Sequence, residues 1–153
     1  MVICARARRW SAVLACVAAS ATMSAVPGPG GVHEVLEGVE MVWEAPTPTT
    51  HRRPRGLAVL LHRGGRSALS WSPRGPRCEK CTGMPEEIGL AAAARAAGYA
   101  TVAVSCHDGA ARRWEPEDGG YIIHGLVALA SARNWQGLPL IAVGVGCGAG
   151  FVL

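Results

Sequence analysis

No apolar run in this sequence approaches the roughly 18–20 residues that span a bilayer, which excludes a polytopic membrane protein. Lysine is nearly absent: of fifteen basic residues only Lys80 is one, a compositional bias without chemistry of its own. Net positive charge is equally scarce outside the first 25 residues. The formal net charge is +4, and Arg6, Arg8 and Arg9 supply three of those units. A nucleic-acid module keeps its basic patch in the folded part, so nucleic acid is not expected as a partner. No internal repeat is visible. Half of the residues are hydrophobic, which sets aside collagen-like, low-complexity and wholly disordered chains. A length of 153 residues allows one domain.

Residues 1–25 contain no acid. A basic stretch to Arg9 is followed by a short apolar stretch from Trp10 to about Ala19, and Ala19-Ser20-Ala21 offers the small-x-small pattern of a cleavage site. This predicts a signal peptide and a secreted or endomembrane-lumenal protein. A plastid or mitochondrial transit peptide is the alternative, disfavoured because the arginines form a block instead of recurring along the segment. Cleavage leaves Cys78, Cys81, Cys106 and Cys147, and an oxidising compartment permits a disulfide.

Residues 26–38, opening on Pro27-Gly-Pro-Gly-Gly31, are predicted to be a flexible linker. The domain then occupies 39–153. Val39 to Ala45 reads as a strand of mixed burial. Gly56 to His62 and Tyr99 to Ser105 are continuous apolar runs of strand length, the pattern of strands covered on both faces. Between them Pro85-Glu-Glu87 opens a helix that stops at Gly98. A second helix is expected from about Asp118 to Asn134, and a third short buried strand at Leu140–Val143. Strand, helix, strand, helix, strand predicts an α/β domain with a doubly wound, mostly parallel sheet. The apolar Phe151-Val-Leu153 begins a helix that this architecture would continue, so the chain reads as a truncated fold with the Leu140–Val143 edge unpaired.

The turn Gly144 to Gly150 has the context of a nucleophile elbow, Gly-x-Ser-x-Gly. Gly144 and Gly148 take its glycine positions, but Gly146 occupies the place of the serine. A one-residue shift puts Cys147 at the apex, with Val145 where a small residue is wanted. The plainer reading of Cys147 is a packed small residue. The same turn also fits a dinucleotide fingerprint, Gly144-x-Gly146-x-x-Ala149. It follows the third or fourth strand, however, and lacks the acid expected about 20 residues later. Cys78 and Cys81 can form a local disulfide or pack as thiols. They can also join Cys106 and His107 around zinc, or act as a redox pair. The disulfide or packed thiols is preferred. No metal and no cofactor is expected. Trp71 and Trp114 read as loop anchors on the core, and His107-Asp108, Arg52-Arg53 and Arg112-Arg113 as solvated charge, an anionic ligand being the sharper alternative for the arginine pairs.

Leu60-Leu61-His62 at a strand end, the helix from Pro85, the strand from Tyr99 and the elbow-like turn follow an order similar to the α/β-hydrolase superfamily. The segment His62-x-Gly-x-x-Ser67-Ala68, Pro73, Cys78-x-x-Cys81-x-Gly83-Met84-Pro85-Glu86-Glu87 and the strand Gly98-Tyr-Ala-Thr-Val-Ala-Val-Ser105 resemble a plant and algal group of α/β-hydrolase-like proteins. The resemblance covers about residues 56–153, roughly the N-terminal half of that domain. It implies hydrolysis of an ester, acyl or peptide bond by an elbow serine. It also assigns the loop His62, Arg63, Gly64 to the oxyanion region. Two departures bear on activity. Arg63 replaces a glycine, and Gly146 replaces the serine, while the acid and histidine of a triad would come after the elbow. The chain is therefore expected to be a hydrolase-like pseudoenzyme. The alternatives are a non-catalytic module holding a small acyl ligand and, less favoured, a dinucleotide-binding fragment.

Overall fold

A computed structural model describes residues 2–7, 30–46, 53–109 and 112–152. Six strands form one sheet: β1 (Val2–Ala7), β2 (Val32–Leu36), β3 (Val39–Glu44), β4 (Leu57–Leu61), β5 (Ala100–Val104) and β6 (Leu140–Val145), in the spatial order β1-β6-β4-β5-β3-β2. Three helices accompany them, α1 (Pro85–Ala96), α2 (Asp118–Ala132) and α3 (Cys147–Val152).

The central strands explain themselves. Every residue of β4 and β5 is buried, and alternate side chains enter two different cores. Leu57, Val59, Leu61, Val102 and Val104 pack with Ile122, Leu126 and Leu129 of α2. Ala58, Leu60 and Ala103 pack with Ala91 of α1, Trp71 and the Cys78–Cys81 pair. Thus α1 covers one face of the sheet, and α2 covers the other together with Phe151 and Val152 of α3. Proline at the first turn of α1, with Glu86 and Glu87 beside it, suits the positive end of the helix dipole.

Parallel pairing is confined to β6-β4-β5. The expectation of a mostly parallel sheet is corrected at both ends, where β3 joins β5, β2 joins β3 and β1 joins β6 antiparallel. The sheet is mixed. The linker expected over 26–38 holds only in part. Residues 26–29 lie outside the described residues, while Val32–Leu36 is a strand that pairs over its whole length with β3. Its turn is Glu37-Gly38, with φ of 50° and 80°. Both values are positive, as a two-residue hairpin turn compatible with strand twist requires. The nearby Pro/Gly cluster hid this hairpin in the sequence. The edge Leu140–Val143, expected to be unpaired, is bonded to β4 on one side and to β1 on the other. β1 falls inside the predicted leader; the rest of the leader, Arg8 to Ala25, lies outside the described residues.

Candidate functional site

The site sits where β6 gives way to α3. β6 ends at Val145, Gly146 turns the chain with φ of 59°, and α3 starts at Cys147. The flanking glycines are required by contact, not by flexibility. A Cβ on Gly144 would collide with the backbone of Gly148 and Ala149, and one on Gly148 would lie 2.5 Å from the carbonyl oxygen of Leu61. Strand and helix are therefore packed backbone to backbone, with the helix start against the end of β4. Gly146 sits at the apex of this strand–turn–helix, and Cys147 is already the first helical residue. The shifted register with Cys147 at the apex does not describe the turn.

The residue facing the apex is Arg63. A Cβ on Gly146 would stand 3.2 Å from the Arg63 Cβ. The Arg63 guanidinium turns toward α1, where Nε donates to Glu87 Oε1 at 2.8 Å and Nη2 bonds to Glu86. Those carboxylates raise the Arg63 pKa above its ordinary value, so the cation is permanent. Glu87 is fully buried, and its Oε2 has no hydrogen-bond partner. A buried carboxylate without its cation is costly, which ties Arg63 to its place over the turn.

His62 is buried and engaged on both ring nitrogens. Nε2 accepts from the backbone N–H of Cys106 at 3.3 Å, so Nδ1 carries the proton and donates to the Arg63 carbonyl at 2.8 Å. Burial pushes its pKa down, which favours the neutral ring. Its ring lies 4.6 Å from that of Trp114, whose Nε1 donates to the His62 carbonyl at 2.8 Å. Trp114 in turn stacks on Phe151 of α3, 5.1 Å away. This aromatic row walls an open depression of about 570 Å³ lined by Trp114, Glu115, Pro116, Cys147, Gly150 and Phe151. Cys147 is exposed at its rim, with Sγ 3.9 Å from the His62 carbonyl, while Gly64 is a neighbour of the same thiol.

The elbow turn and the loop His62, Arg63, Gly64 thus converge. Other residues singled out in the sequence lie elsewhere. Cys78 and Cys81 are joined as a buried disulfide on the α1 face, which occupies both sulfurs. Among the described residues no group of three or more metal-ligating side chains forms. His107 is exposed and meets Tyr121 edge-on at 4.9 Å. Trp71 is buried in the core on the α1 face. Arg112 bridges two loops through the carbonyls of Gly109 and Gly65, and Arg52 lies outside the described residues.

Three carboxylates that sequence reasoning passed over organise the surroundings. Glu87 holds Arg63. Asp118, almost fully buried, accepts from the backbone N–H groups of His107 (2.6 Å) and Glu115 (2.8 Å), fixing the loop that carries Trp114. Glu40 accepts from the Ser105 hydroxyl at 2.6 Å and lies 3.2 Å from His33. For Glu87 and Asp118 only a place at a helix start was visible in the sequence; their partners were not. No protein-family model, no curated protein and no solved structure matches this chain.

Proposed function

We propose that this protein is an α/β-hydrolase-like module that binds without hydrolysing. The single observation that carries this reading is Gly146: the apex of a tight, backbone-packed strand–turn–helix has no side chain with which to attack. Nucleophilic catalysis needs a hydroxyl or thiol activated by a base. Here the nearest imidazole, His62, is held by backbone groups on both nitrogens. Arg63, drawn over the turn by Glu86 and Glu87, adds a second obstruction. The depression beside Trp114 and Phe151 is open and partly aromatic, which suits the chain of a small acyl ligand. The leader reading is part of the same proposal, since the Cys78–Cys81 disulfide suits an oxidising, secretory compartment.

The test has two arms. A fluorophosphonate probe and an activated acyl ester are offered to the full chain, and neither labelling nor turnover above buffer is expected. Short-chain fatty acids are then titrated against tryptophan fluorescence, with saturable quenching expected in the parent and lost in Trp114→Ala. Ester turnover abolished by Cys147→Ala overturns the non-hydrolytic reading. A flat titration removes the acyl ligand.

A further inference from the structure

The sheet has two ends of different character. The β2 end carries His33 and Glu34 and closes on the Glu37-Gly38 turn, so charge guards that edge. The β6 end is Leu-Ile-Ala-Val-Gly-Val, with no charge and no proline along six residues. An edge of that composition is a template for strand addition. In the full chain it is covered by β1 in unbroken register, from Val2 opposite Val145 to Ala7 opposite Leu140. β1 is the N-terminal segment of the chain, and on the leader reading it would be removed by a cut after about Ala21.

We propose that residues 2–7 are a removable edge cover, and that the uncovered β6 edge is a self-association site where the β6 of a second copy adds antiparallel. Three observations favour a second copy over other occupants. β1 demonstrates that this edge accepts an antiparallel partner along its entire length. Two copies of one strand related by a two-fold axis normal to the sheet are necessarily antiparallel, so the geometry already present is the one a symmetric dimer uses. β6 is also apolar from end to end, so no like charges oppose one another when it faces itself. The pairing joins two sheets into one of ten strands, five from each copy, and places the two-fold near Ala142 and Val143. It also brings two elbow turns to one assembly.

The test keeps the full chain. The paired substitutions Cys4→Pro and Ala5→Pro remove backbone donors from the middle of β1 and unpair it without changing chain length. Light scattering across a dilution series should give a monomer for the parent and twice that mass for the proline variant. A second measurement uses Val143→Cys. Position 143 faces Cys4 in the covered register. Mild oxidation should therefore link Cys4 to the introduced thiol within one chain when β1 is otherwise unaltered. Once the prolines are added and Cys16→Ser and Cys147→Ser leave only the buried Cys106 beside the disulfide, the introduced thiols of two chains should link to each other instead. A dimeric parent overturns the proposal, because the edge is then not covered within the chain. A proline variant that stays monomeric or forms polydisperse aggregates overturns it equally. Both readouts are independent of ligand binding and of where the native N-terminus is cut.

Discussion

Gly146 stands at the apex of the strand–turn–helix, and its surroundings define what adding a side chain would do. A Gly146→Ser variant places a Cβ at φ of 59°, a conformation L residues rarely adopt, and 3.2 Å from the Arg63 Cβ. The strain is worth on the order of 1 kcal/mol or more. The expected outcome is a lower thermal midpoint with no gain in ester turnover, since His62 on the facing loop is held by backbone groups on both ring nitrogens. Adding Arg63→Gly relieves the contact with position 146 but leaves the buried Glu87 without its cation, so the midpoint should fall further, still with no turnover. Turnover in either variant would refute the assignment of His62 as a locked structural ring. The thiols make a second prediction. Cys106 is buried and its pKa is pushed up to about 11, chiefly by desolvation, whereas Cys147 is exposed. Brief iodoacetamide treatment of the folded protein at neutral pH should therefore alkylate Cys147 and leave Cys106 intact, as peptide mapping would show. Equal labelling of the two would contradict the burial of Cys106.

At the scale of elements, α2 approaches β3 closely at Gly125. A Cβ on Gly125 would strike the Met41 side chain and come within 2.7 Å of Val39 Cβ, while one on Gly119 meets nothing within 4 Å. Both glycines lie in α2, where alanine has the better intrinsic propensity by about 1 kcal/mol. Gly119→Ala should accordingly raise stability slightly. Gly125→Ala should lower it by about 1–3 kcal/mol through overpacking. Urea titration separates the two, and equal effects would mean that α2 does not ride on β3 through Gly125. The same contact explains why α2 has only a narrow buried stripe, Ile122, Leu126 and Leu129, while Ile123 and Val127 remain exposed.

For the whole molecule, the buried His62 couples stability to pH. Its folded pKa lies below the ordinary 6.5 because burial disfavours the imidazolium. The unfolded chain takes up a proton near 6.5, so below that value the unfolded state binds more protons than the folded one. Its contribution is complete above about 6.5 and is lost as the pH falls from there toward the folded value. Thermal midpoints should drop as the pH falls below about 6.5, and His62→Gln should flatten that part of the profile. An unchanged slope in the variant would assign the acid sensitivity to other groups.

How far the fold was legible depends on the range of the interactions that set each part. β4 is apolar throughout and β5 nearly so, Thr101 excepted, because both faces are covered, and α1 begins at Pro85 and ends before Gly98, so these were readable from neighbours along the chain. The elbow was readable too, since Gly144, Gly146 and Gly148 mark a turn that side chains cannot enter. The Glu37-Gly38 hairpin was not, because β2 gains its order only by pairing with β3 and its composition alone resembles a linker. Residues 2–7 were likewise legible only as part of a leader, whereas their pairing depends on an edge more than 130 positions away in sequence. Around the candidate site, the sequence by itself determined that glycine stands at position 146, between Gly144 and Gly148. Tertiary structure alone decided what holds the loop facing that turn, because the adjacent His62 and Arg63 are far along the chain from Glu87, Cys106 and Trp114. Each takes its role from a buried charge or backbone group that has to find a partner once water is excluded.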